Sequence, residues 1–112
     1  MTYDRKALEA LLEKVLAGSD DTPDFSALVS RPIMQCKAGE AYRGSLDAAL
    51  ALHNAVLPDW GCVLNTYRNW ARVWDQDDED CPSHEEVSVH SPARAWLVVI
   101  LRALIAQAEG ES

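Results

Sequence analysis

From Ala93 to Gln107 the chain is apolar on most sides of a helix, with Arg94 and Arg102 its only charges. A helix without a polar face cannot rest on a surface, so it must be buried on more than one side. Either a sheet or a second subunit can supply that cover. Its start is marked by Ser91-Pro92, serine serving as N-cap and proline fitting the first helical position. The longest strictly apolar run, Ala95 to Leu101, falls far short of the roughly 20 residues that span a bilayer.

Upstream, Gly44-Ser45 opens a second helix with the apolar stripe Leu46, Ala49, Leu50, His53, Val56 and Leu57. Pro58 disfavours helical geometry at Leu57 and ends it there. The run from Trp60 to Tyr67 suits a strand, a short turn around Arg68-Asn69 follows, and Trp70 to Trp74 suits a second strand. By the two-residue period, Trp70, Arg72 and Trp74 share one face and Ala71 and Val73 the other. Val87-Ser88-Val89 alternates as a short third strand.

The first 43 residues are simpler. Leu8, Leu11, Leu12, Val15 and Leu16 follow one helical face, and Gly18 is the expected stop. Ser19 to Asp24 reads as a loop. Within Phe25 to Tyr42 we expect a short helix near Ser26 to Val29 and an extended piece near Ile33 to Cys36. The expected fold class is α+β, a three-stranded antiparallel sheet covered by two helices, with an additional N-terminal helix. The 112 residues make a single domain, with an N-terminal helix and linker over 1–43 and a helix-strand-strand-strand-helix core over 44–108.

Charge is distributed unevenly. Asp75, Asp77, Asp78, Glu79, Asp80, Glu85 and Glu86 crowd into twelve positions without a lysine or arginine between them. The 18 acids and 10 bases of the chain give a net charge of -8, and seven of those acids lie here, so the remainder is nearly neutral. That balance argues against direct contacts to nucleic-acid phosphates, which need clustered Lys and Arg, and equally against an anionic membrane surface. It favours a basic protein partner, whose arginines pair with carboxylates by charge-assisted, often bidentate, hydrogen bonds. Trp70, Arg72 and Trp74 would add packing contacts beside this acidic loop if no helix covers their face. The bland alternative is a solvated loop, with all four tryptophans, Trp60 and Trp96 included, in the core.

Chemistry finds less support. Cys81 and His84 have a spacing used by zinc ligands, and Cys36, Cys62, His53 and His90 could in principle complete a site, but no second pair exists. Asp75, Asp77, Glu79 and Glu86 are hard oxygen donors without the glycine and spacing of an EF-hand. His90-Ser91 are neighbours, yet Ser91 is better used as a cap, and His53 sits on the apolar stripe of its helix. No nucleotide-binding glycine loop or nucleophile elbow appears. We expect no enzyme, no cofactor and no metal. Three irregularly spaced cysteines and the start Met1-Thr2-Tyr3-Asp4-Arg5-Lys6, which lacks a signal-peptide pattern, lead us to expect a cytoplasmic protein.

Two segments, Gly44 to Leu52 running on to Leu57-Pro58-Asp59-Trp60, and Ser91 to Leu97 running on to Leu101 to Ala106, carry a resemblance. Together they resemble small prophage-borne proteins of alphaproteobacteria that are similar to the phage ABA-sandwich domain. The resemblance covers roughly residues 44–107 and implies the helix, three-strand sheet, helix order reached above. It supplies no catalytic residues, and the acidic insertion before Val87 lies outside its pattern. A phage origin implies two roles. One is an acidic, DNA-mimicking anti-CRISPR inhibitor of a type I effector complex; the other is a phage accessory or structural protein acting through homo-oligomerisation, such as a homodimer packed along the last helix.

Overall fold

The structure, a computed structural model, describes residues 3–18, 20–76, 83–88 and 90–110. Four helices and three strands follow in the order α1 Arg5–Ala17, α2 Pro32–Tyr42, α3 Leu46–Val56, β1 Trp60–Asn65, β2 Trp70–Asp75, β3 His84–Val87 and α4 Pro92–Gly110. The fold is α+β, with an open antiparallel sheet of order β1-β2-β3. The core is built around α4. Ala95 to Leu101, Ala103 and Leu104 are all buried, because α4 packs on β2 and β3 with one side and meets α1, α2 and α3 with the others. The cover that its composition demands comes from within the chain. Leu97 and Leu101 are both 0% exposed, so α4 has no surface there to offer a second copy, and the expected homodimer seam along this helix is withdrawn.

The caps and stops at Gly18, Ser45, Pro58 and Ser91 work as read, and Asp4 adds a cap beyond those expected. Asp4 accepts from the backbone N–H of Lys6 and Ala7 at the start of α1, and Gly18 ends it in the left-handed region at φ 69°. Leu8, Leu11 and Val15 are buried, whereas Leu16 is exposed, so the buried stripe is narrower than the apolar one. Ser45 Oγ accepts from Ala48 N–H, and Ser91 Oγ from Arg94 N–H, both at 3.1 Å. Leu57 leaves helical geometry before Pro58 and is buried. On α3 the buried side is Ala48, Ala49, Leu52 and His53, with Leu50 turned to solvent.

Residues 25–42 differ from expectation. Phe25 to Val29 makes a single turn, in which Phe25 O accepts from Leu28 and Val29 N–H, and Phe25 and Leu28 reach the core. The segment expected to be extended, Ile33 to Cys36, is the first part of α2. This helix buries only small residues and one aromatic, Ala38, Gly39, Ala41 and Tyr42, while Ile33 is 68% exposed. Its large aliphatic residue Ile33 therefore does not mark its buried side, and a periodicity of large apolar residues has little to detect. Pro32 at the first helical turn was the available signal, the same device that Pro92 provides for α4.

The third strand also shifts. It occupies His84–Val87, four residues that place Glu85 and Glu86 in the sheet rather than in an acidic loop; Val89 lies outside the described residues. Its inward positions are His84 and Glu86, polar residues where a half-buried strand normally shows apolar ones. They are accommodated individually: Glu86 pairs with Arg102 of α4 at 2.7 Å, and His84 stacks on Trp60. Alternation of apolar residues could not find a strand built this way.

Candidate partner-binding face

Register divides the sheet cleanly. Pairing of Leu64 with Ala71 and Glu86, and of Cys62 with Val73 and His84, sets these residues on the side packed by α4. Pairing of Asn65 with Trp70 and Val87, of Val63 with Arg72 and Glu85, and of Gly61 with Trp74 forms the opposite side. Ala71 and Val73 are fully buried, as expected for the covered side. Among the described residues no helix covers the other, and its flanks, Val63 at 44% and Val87 at 59%, stay exposed. Trp70 and Trp74 are half-buried on this open side, not in the core.

Trp74 does not stand free on the sheet. Its ring lies across β1 at Gly61, where a β-carbon would come within 2.5 Å of two ring carbons and 2.8 Å of Gln76 Nε2. Gly61 has no unusual backbone conformation; the indole occupies the space of its missing side chain. The Arg72 guanidinium carbon sits 5.6 Å from the Trp74 ring centroid, within cation–π range. Glu85 stands opposite Arg72 in the register and is exposed. An isolated glycine in a strand signals close approach by another group, which would have pointed to Gly61 in the sequence.

The acidic residues separate into distinct roles. Asp75 ends β2, and Glu85 projects from the open side of β3. Glu86 points the other way into its pair with Arg102, whose Nη1 also donates to Glu85 O at 3.3 Å. Glu86 is thus part of the fold and leaves the candidate contact set. Asp77, Asp78, Glu79 and Asp80 lie outside the described residues, in the stretch that joins the paired strands β2 and β3.

The histidines and cysteines do not converge. His53 Nδ1 accepts from Trp96 Nε1–H at 3.2 Å, which leaves Nε2 to donate to Trp60 O at 2.9 Å. Both nitrogens of this core histidine are thereby used in joining α3, α4 and β1. Among the described residues His84 Nε2 is buried without a hydrogen-bond partner; burial first, then the neighbouring Arg102 charge, holds its pKa below the ordinary imidazole value. Cys62 lies on the covered side, and burial pushes its thiol pKa up. Cys36 is exposed beside an open cleft of about 490 Å3 between the 22–25 loop and α2, which no histidine lines. Among the described residues no group of three or more His, Cys, Asp or Glu is placed to hold a metal ion, and Cys81 lies outside them. No described helix is long and apolar enough to cross a membrane.

No protein-family model, curated protein or solved structure matches this chain.

Proposed function

We propose that this is a phage- or prophage-encoded inhibitor, acting in the host cytoplasm, that occupies the basic DNA-binding surface of a CRISPR-Cas effector complex of type I. The observation that carries the reading is the concentration of charge: seven of 18 acids lie between Asp75 and Glu86 in a chain of net charge -8. Six of them remain candidates for contact once Glu86 is assigned to Arg102. Carboxylates so placed can take the arginines and lysines that would otherwise grip duplex phosphates. The open side of the sheet supports the same reading, because an aromatic and arginine surface next to charge is the composition of an interface centre.

The deciding experiment measures target-duplex binding by a purified type I effector complex with and without this protein. Wild type should block binding, and the variant Asp77→Asn, Asp78→Asn, Glu79→Gln, Asp80→Asn should not. Raising salt should weaken the block, as screening of a charged interface requires. Absence of any block by wild type removes this target. Equal block by both proteins would move the site away from the four carboxylates.

A further inference from the structure

We infer that the open side of the sheet is an arginine-accepting surface, with Trp74 as its anchor and Gly61 as the residue that positions it. The inference rests on the proposed function in taking the partner to be a basic protein, and it identifies which of the partner's side chains are read, and where. Trp74 is already packed before any partner arrives: its ring lies against Gly61, so less rotamer freedom is lost on docking than for a side chain free in solvent. Rigid aromatic anchors of this kind dominate interface energies. Its ring already carries a guanidinium, that of Arg72, which shows that this environment accepts one. Trp70 stands four residues before Trp74 on the same side, offering a second ring. Exposed Glu85 provides a carboxylate in the same register row as Arg72 and Val63. The surrounding charge selects the occupant. At a net charge of -8, a second copy of this chain or a nucleic acid would be repelled, whereas a cationic protein surface would be drawn in. Arginine fits better than lysine because its planar guanidinium can stack on an indole and pair with a carboxylate at once.

Titration of octa-arginine into the 15N-labelled full-length protein tests this, with octa-lysine as the comparison. Four indole N–H signals report separately on the tryptophans. The Trp70 and Trp74 signals should shift saturably with octa-arginine and much less with octa-lysine, while that of buried Trp96 stays in place. Trp74→Ala and Gly61→Ala should each weaken octa-arginine binding by about tenfold, the size expected for loss or displacement of one anchoring aromatic. Thermal unfolding identifies any variant that fails to fold, and the wild-type titration decides the matter without it. Silent indoles, equal response to both peptides, or shifts confined to amides of the acidic stretch would overturn the inference. Failure of the proposed function looks different. A protein that binds octa-arginine through Trp70 and Trp74 but blocks no effector complex keeps the surface and loses the target.

Discussion

Single side chains in this protein carry more of the fold than the hydrophobic pattern suggests. Arg94 donates from both Nε and Nη2 to Tyr42 O, at 3.0 and 2.7 Å, and lies 3.9 Å from the Tyr42 ring centroid. One residue therefore closes the C-terminal end of α2 and ties it to α4. Arg94→Ala should cost about 2–3 kcal/mol in urea unfolding, the sum of charge-assisted hydrogen bonds and a stacked guanidinium. Arg94→Lys should recover only part, since an ammonium cannot match the planar fork. His84 gives a pH prediction of definite sign. The folded state resists protonation of this ring, because burial and Arg102 lower its pKa from 6.5. The unfolded chain takes up that proton first, so its contribution is intact above about pH 6.5 and declines as pH falls towards the folded value. His84→Gln should flatten the stability–pH curve over that window; an unchanged slope would show that His84 is solvated in solution.

At the scale of elements, legibility followed the source of each element's burial. Helices α3 and α4 announce themselves through Ser45, Ser91, Pro58 and Pro92, since capping and stopping are local chemistry. Strands β1 and β2 are legible because Ala71 and Val73 alternate with Trp70, Arg72 and Trp74, and burial respects that alternation. The hairpin loop is slightly longer than read: Thr66 to Asn69, with Asn65 Oδ1 accepting from Tyr67 and Arg68 N–H and Asn69 at φ 53°. Helix α2 and strand β3 escaped for related reasons. One buries small residues, and the other turns His84 and Glu86 inward, to partners 24 and 16 positions away. For α2 the local signal left is Pro32, and for β3 the partners that accept its polar side chains lie outside any short window of sequence.

At the scale of the whole molecule, the described residues form a layer of helices on one side of a sheet whose other side no described helix covers. That arrangement locates the apolar last helix inside the monomer, with consequences for its tolerance to charge. Leu101→Asp should destabilise the chain severely, because an unpaired carboxylate in a fully buried site costs more than about 4 kcal/mol, a large part of a total stability of order 5–15 kcal/mol. Circular dichroism and light scattering together check this. A variant that stays folded but halves in mass would instead restore α4 as a subunit interface. Net charge belongs to this scale too, since it is the field of the entire surface, and not one carboxylate, that favours a basic partner.

Composition and local signals by themselves determined the fold class, the boundaries of α3, the start of α4 (which runs on past the expected Gln107 to Gly110), the two faces of β2 and the acidic concentration before Val87. Each follows from short-range physics: capping hydrogen bonds, fixed proline geometry, the two-residue strand period and plain counting of charge. Only the tertiary structure decided that Glu86 belongs to Arg102, that Trp74 lies on Gly61, and that α4 is covered by its own chain. Those are contacts between residues far apart in sequence. Their geometry depends on how twisted strands and packed helices meet, and the chain order alone does not contain it.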